Sequence, residues 1–281
     1  MDALSCTAPS VQAPIAYARR DVDPRTMSAT DTLSVDALEM HLTTIGDVRD
    51  AAPDLSLDED GFILRQRPTT VDDYFNLDRV EQAYIPEVVD LVTELSGATG
   101  AVVLEHVIRG PLKLGQEHPE YGRHTLGWAF KAHLDADENT FRTWAANVAP
   151  PELADRCRSE SFAVYNVWRP ITPVEQKPLA FCHARTVRRE DLIPAYFDGR
   201  YPGMNESEYY PSISYFHLAF DPGQRWYYFS DMQPYEVAVF KQHDTSHTRA
   251  HCVPHTAFED PSSRPDAVRR QSIEVRVFAL R

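Results

Sequence analysis

From residue 101 to residue 280 the chain reads as a succession of short β-branched and aromatic runs, broken by Pro, Gly, Asp and Asn. The runs are 101–108, 131–135, 162–169, 179–184, 213–220, 225–230, 236–241, 252–258 and 272–280. A helical stretch over 138–158 interrupts them and should break at Pro150-Pro151. Strands without intervening helices cannot build a parallel sheet. The expected fold is therefore mainly β, a double-stranded β-helix of the jelly-roll or cupin-like kind, with N-terminal and inserted helices.

Ahead of the strands, Tyr74, Val80, Tyr84, Val88, Leu91, Val92 and Leu95 recur at spacings of three and four. This predicts an amphipathic helix over 71–95, interrupted near Pro86 and ended by Gly97. Residues 55–67 read as a hairpin: Leu55 and Leu57, a turn at Glu59-Asp60-Gly61, then Phe62-Ile63-Leu64. Residues 1–35 are rich in Ser, Thr, Ala and Pro without periodicity and read as a flexible N-terminal arm; 36–281 read as a single double-stranded β-helix domain.

The formal net charge of −14 argues against nucleic acid, whose phosphates need clustered Lys and Arg. Cys6, Cys157, Cys182 and Cys252 form no CxxC pair, so neither a thiolate zinc site nor a disulfide framework is expected, and the cytoplasm is the default compartment. There is no signal-peptide pattern and no apolar run long enough to span a membrane. With 11 glycines and neither GxGxxG nor GxxxxGK[ST], a nucleotide-cradling loop is not expected.

The chemistry-bearing pattern begins at His133-Leu134-Asp135. In a strand, residues i and i+2 share a face, so imidazole and carboxylate can converge on one metal. Two His and one carboxylate leave three positions open on iron, enough for a bidentate keto acid and O₂. The triplet by itself is weak, since the 11 His and 42 acidic residues make about one or two such triplets by chance. His118-Pro119-Glu120 is the other. A strand-end His and Asp on the surface is an equally ordinary reading.

The third ligand would come from His243, His247, His251 or His255; a lone His255 is more often a hydrogen-bonded structural residue. On the last strand Arg270 and Ser272 share a face, and a guanidinium fork with a hydroxyl suits a carboxylate. Arg276 on the same face competes for that role, and Glu274 could neutralise either Arg. Asn166 and Trp168 share one strand face and Arg169 takes the other, so the three cannot line one pocket. The Trp226-Tyr227-Tyr228-Phe229 run reads mainly as packing.

Taken together, several ordered motifs resemble the CmcJ/NvfI-like family of Fe(II)/2-oxoglutarate-dependent oxygenases, the gibberellin desaturase-like group. They are Asn166-Val167-Trp168-Arg169-Pro170, Phe181-Cys182-x-Ala184-Arg185-Thr186, Trp226 to Met232, Phe240-Lys241, Asp244, Pro254-His255-Thr256-Ala257-Phe258 and Arg270-x-Ser272-Ile273-Glu274-Val275-Arg276. The resemblance runs from roughly Gly61 to Leu280. It implies metal ligation by His133, Asp135 and His255, and a keto-acid clamp at Arg270 and Ser272. Asn166, Trp168 and Arg276 are further candidates for cofactor or substrate contacts. His183 stands where relatives usually carry Asp, Gln271 replaces a usual Glu, and Ala136 follows the HxD motif; none of these removes a proposed ligand.

The expected activity is oxidation of a small secondary metabolite by hydroxylation, desaturation, cyclisation or peroxidation, with Fe(II), 2-oxoglutarate and O₂. Neither nucleic acid nor membrane is expected as a partner, and exposed edge strands leave room for a homodimer. The alternatives are a non-oxidative metal-dependent isomerase or hydrolase, and a non-catalytic binding module on the same scaffold.

Overall fold

β-strands Phe62–Gln66 (β3), Gly100–Arg109 (β4), Phe162–Pro170 (β7), Glu236–Asp244 (β12) and Ser272–Leu280 (β14) build most of a six-stranded sheet, with Thr125–Leu126 (β5) at its edge. Its strand order is β3-β12-β7-β14-β4-β5. A computed structural model describes residues 9–22, 37–111, 125–197 and 213–281. Every residue of β7, β12 and β14 is buried, because both faces of this sheet are covered.

One face meets a helix. Asn76 caps Leu77–Arg79 (α1), a five-residue π turn follows at Val80–Tyr84, and Ile85–Ser96 (α2) completes the run. The π turn lies directly before Pro86, which has no N–H to give an i−4 carbonyl. Gly97 closes the helix in the left-handed region at φ 66°, as its position predicts. Val88, Leu91 and Val92 of α2 join Val275, Val277 and Ala279 in the largest core. The expected helix therefore starts six residues late, with Val71 and Tyr74 buried ahead of it.

The opposite face divides along its length. At one end Phe278 and Leu280 pack with Phe141, Ala145 and Ala146 of Glu138–Val148 (α3), which breaks before Pro151–Ser159 (α4) as expected. At the other end the same face of β14 carries Ser272, Glu274 and Arg276, all under 5% exposed. Burying that many polar groups is costly unless each has a partner, so this end marks a site.

The second sheet has eight strands in the order β1-β2-β11-β8-β13-β6-β10-β9. They are Ser10–Ala18 (β1), Leu38–Asp47 (β2), His133–Leu134 (β6), Leu179–Cys182 (β8), Leu192–Phe197 (β9), Ile213–Leu218 (β10), Trp226–Tyr228 (β11) and His255–Ala257 (β13). Bridges Ala16–Lys131 and Ala18–Ala219 tie β1 back to the far strands, so the sheet curls on itself. Ala13, Ile15, Tyr17, Ile45, Cys182, Leu218 and Trp226 fill that curl. Two sheets with these connections make the mainly β, jelly-roll architecture expected of the strand pattern.

Three local expectations are corrected. Residues 10–18 are not a flexible arm: they form β1, because Ala13, Ile15 and Tyr17 fill a core whose other walls lie far along the chain. Residues 55–67 are not a hairpin. Leu55 and Leu57 are buried outside any strand, and β3 pairs instead with β12. Gly61 makes the sharp entry to β3 at φ +88°, where an added Cβ would lie 2.5 Å from Val253 Cγ2. Strands β2 and β9 were not foreseen, as neither alternates cleanly. His118, Glu120 and Cys6 lie outside the described residues.

Candidate metal centre

Strand β6 is only two residues long, yet it is held on both sides, by β13 through His255–His133 and by β10 through His217–His133. Directly opposed residues point to one face, so strand pairing sets the imidazole of His255 beside that of His133. Asp135, two residues on, returns to the same side. One ligand atom from each of His133, Asp135 and His255 lies within 4.8 Å of the others. Asp135 Oδ1 is 3.4 Å from His133 Nε2 and 4.0 Å from His255 Nε2. Their side chains are 14%, 7% and 3% exposed in sequence order. Among the described residues no other group of three His, Cys, Asp or Glu residues could hold a metal ion.

The surroundings orient each group. His133 Nδ1 donates to the Lys131 carbonyl (2.7 Å), and because a carbonyl only accepts, the Nε2 lone pair is left for a metal. Asp135 Oδ2 accepts from Asn166 Nδ2 (2.7 Å) and pairs with Arg276 Nη2 (2.8 Å), which leaves Oδ1 facing the imidazoles. The Asp135 backbone N–H donates to Gln242 Oε1 (3.0 Å), and Gln242 Nε2 lies 3.4 Å from His255 Nδ1. Gln242 reaches inward at the point where the β12–β7 register shifts between Lys241 and His243.

Burial alone would raise the Asp135 carboxyl, but Arg276 and the two imidazoles hold it well below the usual carboxylate range. Burial, then His133, pushes His255 down to about 3, so its imidazole is neutral and fit to ligate. Burial raises Glu274, and the Asp135 charge adds to it.

Arg270 is 1% exposed with Nε and Nη1 unpaired, and Ser272 Oγ, equally buried, is unpaired too. Buried donors without partners are rare in folded proteins. Trp168 lies under this guanidinium, 5.3 Å from ring centroid to Cζ. Burial and nearby Arg109 push Arg270 down to about 9. The two terminal nitrogens of Arg276, by contrast, are paired with Asp135, Glu274 (3.2 Å) and Glu105, and its Nε alone has no partner.

The remaining candidates separate by face. Asn166 touches Asp135 and Trp168 lies beside Arg270, whereas Arg169 turns away to Tyr84 Oη, the Pro234 carbonyl and the Arg67 carbonyl. Tyr227 and Phe229 pack in the largest core, Trp226 and Tyr228 in the curl. His183 bonds Asp60 (3.0 Å), His243 stacks on Phe162, and His251 bonds the Asp244 carbonyl. None of these three belongs to the cluster around Asp135. Arg109, Glu105, Gln242 and His217 went unnoticed in sequence; each reaches the site through strand register, which no local pattern reveals.

The family model described as an oxidoreductase/YMDC permease-like domain matches residues 7–280, nearly the whole chain. The chain belongs to this family, that of the CmcJ/NvfI-like Fe(II)/2-oxoglutarate-dependent oxygenases. An alpha-ketoglutarate-dependent dioxygenase, phiK, from a fungal species is 26% identical over 249 residues, covering 86% of this chain and 85% of the relative. The hydroxylase/desaturase efuI of Hormonema carpetanum is 28% identical over 250 residues, covering 84% and 82%. The fold matches that of the iron and alpha-ketoglutarate-dependent endoperoxidase NvfI at TM-score 0.77 and 23% identity, over 96% of this chain and 98% of that one. Among the described residues of this CmcJ/NvfI-like chain, no helix is long and apolar enough to cross a membrane.

Proposed function

We propose that the chain is an oxygenase in which His133, Asp135 and His255 hold Fe(II), while Arg270 and Ser272 take the distal carboxylate of 2-oxoglutarate. The observation that carries this reading is the trio of buried, unpaired atoms, Arg270 Nε and Nη1 and Ser272 Oγ. A guanidinium in that state is one carboxylate short, and it stands just ahead of the strand whose Arg276 grips Asp135. When bound, iron(II) with 2-oxoglutarate and O₂ supplies the oxidising power, the keto acid leaving as succinate and CO₂.

The chain's own residues do the rest. Arg276 and Asn166 occupy one oxygen of Asp135, so the carboxylate presents the other. Lys131 fixes the tautomer of His133 through its carbonyl. Trp168 keeps Arg270 extended and dry, and Phe240 packs against His255 (4.8 Å between ring centroids) to exclude water. The substrate is a small secondary metabolite, and the outcome is hydroxylation, desaturation, cyclisation or peroxidation. Relatives include a hydroxylase/desaturase and an endoperoxidase by name.

We also read residues 36–281 as one oxygenase unit, to which β1 adds a strand. Cys157, Cys182 and Cys252 are free and buried, which suits the cytoplasm. A homodimer through an exposed sheet edge would appear as a doubled mass in sedimentation. The activity test is anaerobic purification, iron analysis, and succinate release with Fe(II), ascorbate, 2-oxoglutarate and O₂. If His133→Ala, Asp135→Ala and His255→Ala all keep iron and turnover, the centre is misplaced.

A further inference from the structure

Three imidazoles stand in one rank across adjacent strands: His255 on β13, His133 on β6 and His217 on β10, joined by direct cross-strand pairing. The first two belong to the proposed centre. His217 stands one strand further, roughly 5 Å on at ordinary strand spacing. It is 2% exposed, and neither ring nitrogen makes a hydrogen bond of good geometry, although the Ala132 backbone lies close enough to act on it. A buried imidazole held so weakly is a costly feature unless a ligand uses it.

Lys131 precedes His133 by two residues and so shares its face. It is half-buried, and among the described residues its ammonium makes no ion pair. The nearby acids are committed elsewhere: Asp135 and Glu274 to Arg276, Asp137 to the first turn of α3. The charged neighbours of His217 are Lys131 and His133, whereas those of Arg270 are Arg109 and Glu274. Arg270 with Ser272 and His217 with Lys131 therefore sit among different charged neighbours.

We propose that Lys131 and His217 form a carboxylate-binding subsite for the molecule that is oxidised. An ammonium and an imidazole N–H together offer donors and positive charge, and a carboxylate is the organic group that uses both. Anchored one strand beyond His133, it would hold a carbon a few bonds away next to the metal. This rests on the oxygenase reading above, because the subsite acquires its meaning from a metal at the neighbouring ligands.

The test uses full-length protein loaded with Mn(II) and saturated with 2-oxoglutarate. The probes are phenylacetate, cyclohexanecarboxylate and decanoate, each beside its methyl ester, with binding followed by calorimetry. The expected result is that at least one acid binds tenfold or more tighter than its ester, and that Lys131→Met and His217→Phe each erase this preference. Thermal melts verify that both variants are folded, and Lys131→Met, at a partly exposed position that keeps the alkyl stem, stands in if His217→Phe does not fold. Equal binding of acids and esters, or no binding of either, overturns the proposal. So does weaker 2-oxoglutarate binding in Lys131→Met, which would assign the anion to the co-substrate. Failure of the native Mn(II)-loaded protein to bind 2-oxoglutarate sinks the oxygenase reading instead, and is measured in the same titration series.

Discussion

Arg276 Nη2 lies 2.8 Å from Asp135 Oδ2, while Oδ1 of the same carboxylate faces both imidazoles. Together with Asn166, this guanidinium occupies Oδ2, so Oδ1 is the oxygen open to a metal in the proposed centre. It also compensates the buried charge when no cation is near. The pair is a positioning device, and Glu274 on the same Nη2 and Glu105 on Nη1 keep the guanidinium in place.

Replacing that guanidinium should loosen the centre without deleting a ligand. Arg276→Met is expected to weaken Fe(II) or Mn(II) binding by about 10–100-fold, the usual effect of removing a group that orients a metal ligand. Metal titration monitored by calorimetry reads this directly. An unchanged affinity would mean that Asn166 alone suffices to orient Asp135.

The Arg270 clamp predicts a split between binding and chemistry. Arg270→Gln removes a charged hydrogen-bond donor worth about 1.5–3 kcal/mol, so KM for 2-oxoglutarate should rise roughly 10–150-fold. Ser272→Ala should raise it only about 2–10-fold, as a neutral hydrogen bond is weaker. Both should leave metal affinity intact. Succinate release measured across 2-oxoglutarate concentrations tests the pair, and a change in kcat with constant KM would contradict the assignment.

Gln242 links Asp135 to the strand that faces it. Gln242→Ala would leave the Asp135 N–H without its acceptor, at a cost of about 1–3 kcal/mol for an unsatisfied buried donor. Chemical denaturation should show the midpoint falling at constant slope. A variant as stable as the native protein would show that water replaces the amide.

Acid sensitivity should centre on Asp191, whose side chain is fully buried beside Arg20 (2.6 Å) and Arg188 (3.2 Å). Burial works to raise its carboxyl, but the two guanidinia, Arg188 first, lower it overall. A carboxyl lowered on folding stabilises the protein above its unfolded value near 3.9, and that contribution is lost as pH falls through the folded value. Asp191→Asn should therefore lose stability at pH 7 and show a flatter decline below about pH 4. Parallel melts of native and variant protein from pH 3 to 7 test this; equal slopes would refute it.

Much of the fold was legible because it rests on local periodicity. The strands at 101–108, 162–169 and 272–280 and the break at Pro150-Pro151 appear close to where composition put them. β1 escaped notice because Pro14 and its neighbours lack a strong alternation, and its apolar residues matter only against Cys182, Leu218 and Trp226. The hairpin expected at 55–67 failed for a related reason: a turn signal is local, but the partner of β3 is β12.

Within the site, the chain's order of residues set His133 and Asp135 two apart, and put Ser272 and Arg276 on one face of the last strand with Arg270 just ahead of it. Two-residue periodicity needs no knowledge of the rest of the molecule. Only the tertiary structure decided that His255 stands opposite His133, that Arg276 is consumed by Asp135, and that Arg270 is left unpaired. Those outcomes follow from strand register and from which buried charges find partners, both properties of segments that are distant in the chain and meet only when it folds.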